Sequence, residues 1–172
     1  MQDVKMRSLL VVILFLVPFE SCGIKTVDPH SIEGKLVTRI NATCDESSNC
    51  TVRLRDVTDF AWDRVYVFNN GVRQSEIEKV IGAPFPPYEE FKRSMIFLNG
   101  GTVVYSEVEA TDIERPINNQ VVFDITKRGA YRSYSSESQF EVKRKQLQGD
   151  TYYYELKLIE SPPASSPQDL QD

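Results

Sequence analysis

Apolar residues recur at a helical period in the segment that follows residue 28, and they predict an amphipathic helix there. The positions that share this face are Ile32, Leu36, Val37 and Ile40. Asp28 before Pro29 is typical of an N-cap followed by the first helical residue, so we expect the helix to begin there. Gly34 lies inside the pattern and is expected to weaken the helix.

After residue 50 the apolar period becomes two, which indicates strands. Val52 and Leu54 alternate with arginines, while residues 64–68 are apolar on both faces after Arg64 and predict a central strand. Two further strands are predicted at residues 95–98 and 102–108, and the turn Asn99-Gly100-Gly101 between them indicates a hairpin. Another strand is predicted at residues 121–125. The last two, at residues 140–143 and 152–158, are predicted to form a second hairpin.

A second, short helix is predicted between the central strand and the first hairpin. Ser75 and Glu78 have the spacing of a capping box, and Gly82 followed by Pro84 ends the helix. Together the elements predict a single α+β domain over residues 28–160. We expect an antiparallel sheet of about five to seven strands with one or two short helices on one face.

The N-terminal segment has the pattern of a secretory signal peptide, which we place at residues 1–21. Lys5 and Arg7 precede the apolar run of residues 9–17, which is shorter than the roughly 20 residues that a membrane-spanning helix needs. Either Met1 or Met6 could be the translation start. At the other end, residues 161–172 are rich in proline and serine and predict a disordered tail.

The stretch Phe19-Glu20-Ser21-Cys22-Gly23 resembles the lipobox of bacterial lipoproteins. The resemblance implies cleavage before Cys22, acylation of its sulfur and a lipidated tether over residues 22–27, which anchors the protein to the cell envelope. Gly23 after the cysteine favours the outer membrane if the cell is Gram-negative. The alternative is ordinary cleavage, which leaves a soluble periplasmic or secreted protein.

With Cys22 assigned to the lipid, Cys44 and Cys50 remain as an even pair separated by turn-forming residues. In an exported protein this spacing predicts a local disulfide, and two free thiols are the alternative. Asn41 and Asn49 match the N-glycosylation sequon, which keeps a eukaryotic secreted glycoprotein as a minor interpretation.

Charge and composition exclude several kinds of function. The 172-residue chain has a formal net charge of -5, so it has no basic excess with which to bind nucleic acid. His30 is the single histidine, which leaves no ligand set for a histidine-rich zinc site and makes a serine–histidine–aspartate triad depend on one residue near the start. We expect no cofactor and no metal.

Residues 58–63 read Thr-Asp-Phe-Ala-Trp-Asp and contain the single tryptophan. With Cys50, the strand after it and the short helix ending at Gly82, they resemble a group of small bacterial lipoproteins of uncharacterised function that share a Thr-Asp-Phe-x-Trp-Asp core. The resemblance covers about residues 44–82 and implies no chemistry. Phe60 and Trp62 are either core residues or exposed anchors for a partner.

Aromatic residues supply the candidate partner-binding positions, and carboxylates supply an alternative chemistry. The candidates for partner binding are Phe60, Trp62, Tyr131, Tyr134 and Tyr153, while Tyr152 and Tyr154 are expected in the core. Acidic residues are grouped at Asp56, Asp59 and Asp63, and at Glu107, Glu109, Asp112 and Glu114. We expect both groups to be solvated surface, although two carboxylates at suitable separation could hydrolyse a glycan.

Three hypotheses of function follow from these features. The leading one is an exported, lipid-anchored envelope protein that binds another envelope or secreted protein without catalysis, as an inhibitor or immunity factor does. The second is a carboxylate-based hydrolase of cell-wall or surface glycan that uses Asp59 and Asp63. The third is a purely structural envelope component.

Overall fold

The computed structural model describes residues 27–44, 50–85, 87–109, 117–123, 129–147 and 149–159. The predicted signal peptide, Cys22, the tether up to residue 26, Asp112, Glu114 and the predicted tail lie outside the described residues. None of the helices in the described part has the length and apolarity needed to span a membrane.

Within these ranges the chain forms two α-helices, one 3₁₀ helix and eight strands, so the predicted α+β class is confirmed. The elements in chain order are α1 (Ile32–Thr43), β1 (Cys50–Val52), the 3₁₀ helix (Leu54–Val57), β2 (Arg64–Phe68), α2 (Gln74–Ile81), β3 (Arg93–Asn99), β4 (Thr102–Glu109), β5 (Val121–Phe123), β6 (Tyr131–Ser135), β7 (Phe140–Gln146) and β8 (Tyr152–Leu158).

The described strands form two four-stranded sheets and not the single antiparallel sheet that we expected. One sheet is antiparallel with the order β4-β3-β2-β6, and the other is mixed with the order β1-β7-β8-β5. Both predicted hairpins, β3 with β4 and β7 with β8, are confirmed. The mixed character comes from β5, which runs parallel to β8 with Val121 opposite Tyr154.

The antiparallel sheet is covered on both faces, because apolar side chains of its central strands alternate between two clusters. Val65 and Val67 of β2 belong to the inner core together with α1 and the mixed sheet, whereas Phe68 belongs to an outer core with Ile77 and Ile81 of α2. The two helices therefore pack in clusters on opposite faces of this sheet, and the prediction that they share one face was wrong. Burial of both faces explains why residues 64–68 form a continuous apolar run.

The start of α1 differs from the prediction, although its buried face is the predicted one. Ser31 is the N-cap, because its Oγ accepts a hydrogen bond of 2.9 Å from the Gly34 N–H. Asp28 instead accepts a hydrogen bond from the backbone N–H of His30. His30 is therefore exposed before the helix and not in its first turn.

The second helix begins earlier than its sequence pattern indicated. Glu76 accepts a hydrogen bond of 3.2 Å from the backbone N–H of Arg73, so the expected capping box of Ser75 and Glu78 was wrong. Glu78 accepts from the backbone N–H of Phe85 beyond the helix. The predicted end is confirmed, since Gly82 takes the left-handed conformation with φ of 73°.

The predicted disulfide between Cys44 and Cys50 is present, and it joins the end of α1 to the start of β1. The predicted strand through Val52 and Leu54 ends at Val52, because Leu54 begins the 3₁₀ helix, although both side chains are buried. Strand β6 was not among the predicted strands. It lies at an edge of the antiparallel sheet beside β2.

Candidate functional site

Two of the five aromatic candidates lie in the inner core. Trp62 is 7% exposed, packs edge-on against Phe97 and donates from Nε1 to Thr58 Oγ1 at 2.9 Å. Tyr134 is 5% exposed and packs edge-on against Phe140. Neither side chain is accessible as an anchor for a partner.

Phe60 is partly buried against the same core. Its ring stacks on Tyr105 with the centroids 5.0 Å apart and meets Phe97 edge-on at 5.4 Å. The position of Phe60 is therefore explained by packing against the core. Its ring also packs against Tyr105, which lines a cleft described below.

The two remaining aromatic candidates differ in exposure. Tyr131 is 38% exposed at the start of β6, where its ring contacts those of Tyr66 and Phe68. Tyr153 is only partly exposed on β8. In the neighbouring positions Tyr154 is in the core as expected, while Tyr152 is half-buried beneath the Arg144 guanidinium, 3.6 Å from its ring centroid.

Phe91 is the most exposed large apolar residue in the described part of the chain, and the sequence analysis missed it. Its side chain is 71% exposed and its backbone has φ of 61°. A left-handed backbone at a bulky residue costs about 1 to 3 kcal/mol and persists only where the surroundings enforce it. The signal in the sequence was an aromatic residue two positions before the strand that carries the apolar run, β3.

The segment around Phe91 is fixed at both ends. Phe85 is buried in the outer core and Tyr88 packs partly against it, while β3 begins at Arg93. Between these points Lys92 pairs with the carboxylate of Glu89 at 2.5 Å. The fixed ends and this ion pair hold the Phe91 side chain away from the core.

Phe91 and Tyr131 lie at the same end of the antiparallel sheet. Phe68 on β2 is in register with both Tyr131 on β6 and Ser94 on β3, and Phe91 precedes Ser94 by three residues. We call this end the Phe91–Tyr131 surface.

A second feature is a buried cluster of charged residues, which corrects the expectation that Glu107 and Glu109 form solvated surface. Arg93 is buried and contacts both Glu33 and Glu109. Its Nη2 is 2.7 Å from Glu33 Oε2, and its Nη1 donates to the carbonyl of Val121 at 2.6 Å. One guanidinium therefore connects β3 with α1, β4 and β5.

Glu107 joins this cluster to the start of α1. Its Oε2 accepts hydrogen bonds from the backbone N–H of Ile32 at 2.9 Å and from the hydroxyl of Tyr105 at 3.0 Å. The other oxygen of Glu107 and Oε1 of Glu109 are both buried and have no N–H or hydroxyl donor.

The three carboxyl groups differ in pKa because their surroundings and their distances from the one cation, Arg93, differ. Burial and the neighbouring charge of Glu109 raise the pKa of Glu107 to about 7. Burial also raises the pKa of Glu33 well above its usual range, although Arg93 opposes this. Burial alone would raise the pKa of Glu109, but the charge of Arg93 and hydrogen bonds from Glu33 and Glu107 lower it to about 2. Near pH 6 the cluster therefore holds Glu109 ionised against Arg93, while Glu107 is largely protonated.

A cleft of about 390 Å³ lies over this cluster. Its lining comes from the residues before and at the start of α1 and from β4, including Asp28, His30, Glu33, Tyr105, Glu107 and Glu109. No three acidic, histidine or cysteine residues within the described ranges are arranged to hold a metal ion. Asp59 and Asp63 are exposed outside the cleft, and Asp63 accepts the backbone N–H of Gly100 in the β3–β4 turn at 2.7 Å.

Comparison with protein families, curated proteins and solved structures gives no match for this chain. The geometry of the described residues is therefore the basis on which a function can be proposed.

Proposed function

We propose that the protein is an exported, lipid-anchored envelope protein that binds another envelope or secreted protein through the Phe91–Tyr131 surface, without catalysis. The observation that carries the binding proposal is Phe91. Its exposed apolar ring and its left-handed backbone are each unfavourable, and neither is needed to fill the core.

The neighbours of Phe91 indicate the chemistry of the partner. Glu89 and Glu90 are exposed beside it, and Tyr131 offers a second ring with a polar hydroxyl. An apolar pocket with basic residues at its rim complements such a surface, because the aromatic ring fills the pocket while the charges set its orientation. An inhibitor or immunity factor that covers a secreted effector fits this description.

Export and anchoring rest on the N-terminal sequence and on the disulfide. Disulfides persist in oxidising compartments, so the Cys44–Cys50 bond supports an extracytoplasmic location. The alternative of a soluble periplasmic or secreted protein uses the same export route and keeps the same binding surface.

The glycan hydrolase is less well supported by the geometry. Asp59 and Asp63 are exposed outside the cleft. Glu107 and Glu109 do line the cleft, but Glu109 is paired with Arg93, and Glu107 accepts hydrogen bonds from Ile32 and Tyr105. Glycoside hydrolysis needs two carboxylates about 5 to 10 Å apart, which leaves room for the sugar and the attacking water.

The binding proposal is tested by capturing the partner with matched variants. The full-length chain and its Phe91→Ser variant are crosslinked in intact cells and purified from the membranes. We expect a stoichiometric partner with the natural chain. Recovery of the partner with Phe91→Ser should fall about tenfold or more, because a central aromatic anchor contributes about 2 kcal/mol or more to binding.

Val104→Ser is the control, since Val104 is also an exposed apolar residue, at 42%, but lies on β4 at the other edge of the sheet. This variant should recover the partner as the natural chain does. Equal recovery with Phe91→Ser, or no stoichiometric partner with the natural chain, would contradict the proposal. A toxin gene beside the gene for this chain would favour an immunity role.

A further inference from the structure

Strand β4 is an edge strand of the antiparallel sheet, and one of its sides is open. Within the described ranges it pairs with β3 only, over Thr102–Glu109. The register shifts in the first half of the strand, where Val104 is an extra residue without a partner on β3. Because a bulge of this kind hinders the addition of another strand, the regular part of the open edge is residues 105–109.

The register shows which backbone groups lie on the open side. Asn69 donates from its N–H to the carbonyl of Ala130 directly opposite, so odd-numbered residues of β2 bond to β6 and even-numbered ones to β3. The alternation continues across β3, whose odd-numbered residues bond to β4. The N–H and carbonyl groups of Ser106 and Val108 therefore point to the open side. Within the described part of the chain no backbone hydrogen bond reaches them.

The acidic cleft lies beside this edge. One of its walls comes from β4 between Tyr105 and Glu109, and the other comes from the segment before α1 and the start of that helix. An extended chain that pairs with Ser106 and Val108 would therefore lie next to the cleft. Its side chains alternate between the two faces of the sheet, so every second one can reach the carboxyl groups of β4.

The charge of the cleft indicates which side chains would fit there. The described residues of its lining include no lysine or arginine but four carboxyl groups, from Asp28, Glu33, Glu107 and Glu109. Arg93 contacts Glu33 and Glu109 from within the protein. No described cation pairs with Asp28 or Glu107, so a lysine or arginine from outside has two carboxylates to compensate.

A second copy of this chain is a poor occupant of the edge. Thr102–Glu109 contains two glutamates and no lysine or arginine. Antiparallel pairing of two β4 strands would bring these glutamates together, and like charges on neighbouring strands are destabilising. A segment with basic side chains at alternate positions has the complementary charge.

We propose that the open edge of β4 and the acidic cleft bind an extended segment of another protein that carries lysine or arginine at alternate positions. The segment adds to the sheet through backbone hydrogen bonds to Ser106 and Val108, and one basic side chain enters the cleft beside Glu107. In this mode the backbone bonds supply affinity and the side-chain pocket supplies specificity. The edge is separate from the Phe91–Tyr131 surface, so each is tested without the other.

The test uses the full-length chain in detergent at pH 8, above the pKa of about 7 of Glu107. Three peptides of the length of β4 are titrated into it. The first alternates lysine with threonine, the second has proline in place of its central threonines, and the third has glutamate in place of lysine. We expect the first peptide to bind about tenfold or more tightly than the others, because the second cannot pair fully and the third is repelled.

Hydrogen exchange at single amides, measured by NMR, locates the bound peptide. Exchange at Ser106 and Val108 should slow about tenfold or more when the first peptide binds, because their N–H groups gain partners. Exchange at Tyr105 should change little, since its N–H already bonds to β3.

Variants of the chain separate the backbone edge from the charge. Ser106→Pro removes an outward N–H without changing the charge and should lose the first peptide. Glu107→Gln should weaken its binding about tenfold, whereas Glu90→Gln, which changes an exposed carboxylate outside the cleft, should bind it as the natural chain does.

Three results would overturn the proposal. They are equal binding of the first and second peptides, unchanged exchange at Ser106 and Val108 in the bound state, and protection of these amides by self-association without peptide, which would make a second copy the occupant. If a variant does not fold, the three peptides on the natural chain decide alone.

Discussion

Arg93 is a single side chain on which the contacts of four elements depend. Its guanidinium is buried between two carboxylates and the backbone carbonyl of Val121. A buried ion pair gains little over an apolar pair of the same shape, but removal of one partner is costly because the other charge stays buried and unpaired. The value of Arg93 to the fold is therefore that it compensates the buried charge of Glu109 and donates a hydrogen bond to Glu33.

We expect Arg93→Met to destabilise the fold by about 3 to 5 kcal/mol at pH 7, because it leaves buried carboxylates without a cation. The loss should be smaller near pH 4.5, where the carboxyls of the variant take up protons. Urea unfolding followed by the fluorescence of Trp62 measures both values.

The matched control for this substitution is Arg55→Met. Arg55 also pairs with a glutamate, Glu137, but both side chains are largely exposed. An exposed pair contributes about 0 to 1 kcal/mol, so this variant should stay close to the natural chain. Similar losses in Arg93→Met and Arg55→Met would show that burial of the cluster does not govern its energetics.

At the scale of elements, the packing of α1 depends on a close approach between Gly34 in its first turn and the segment that precedes the helix. A Cβ atom at Gly34 would lie 2.1 Å from the carbonyl oxygen of Asp28 and 2.6 Å from Cα of Pro29. The sequence pattern indicated a glycine that weakens the helix. The structure shows that only glycine lets residues 28 and 29 cross this turn and reach the cleft.

Gly34→Ala should therefore destabilise the protein by about 1 to 3 kcal/mol, because the clashing atoms belong to the backbone and cannot move aside independently. In an unconstrained helix the same change would stabilise it by about 1 kcal/mol. Thermal unfolding compares Gly34→Ala with Lys35→Ala, an exposed neighbour whose substitution should leave stability nearly unchanged. A variant more stable than the natural chain would show that residues 28 and 29 do not constrain the helix.

At the scale of the whole molecule, the antiparallel sheet separates two cores. The cleft and the charged cluster involve the inner side with α1, and Phe91 lies at the end of β3 beyond the outer core. The proposed lipid anchor would hold the molecule from the N-terminal side, which leads into α1. Partner binding through Phe91 and the energetics of the cluster around Arg93 can therefore be tested independently.

The anchor itself gives a prediction for the whole protein. Cells grown with labelled palmitate should incorporate label into the natural chain and not into Cys22→Ser, because acylation needs the cysteine sulfur. The variant should also leave the membrane fraction, since its tether has no acyl chain on a cysteine. Absence of label from the natural chain would favour ordinary cleavage and a soluble protein, whereas equal labelling of both chains would place the acyl group on a residue other than Cys22.

The local sequence pattern was sufficient to predict those features that depend on a few neighbouring residues. The apolar period placed Ile32, Leu36, Val37 and Ile40 on the buried face of α1, and turn residues identified both hairpins and the end of α2 at Gly82. The spacing of Cys44 and Cys50 likewise predicted their bond. These outcomes depend on contacts between residues close in the sequence, whose geometry the local backbone sets.

The tertiary structure alone decided which distant residues meet. Glu33 and Arg93 are 60 positions apart, Glu33 and Val121 are 88 apart, and β5 pairs in parallel with a strand from the end of the domain. In the sequence Glu107 and Glu109 have the alternation of a solvated strand face, and an α1 glutamate beside apolar residues has no visible partner. Their burial, their opposite pKa shifts and the exposure of Phe91 depend on how the sheets and α1 pack. That packing determines which charges lose water and which cation compensates them.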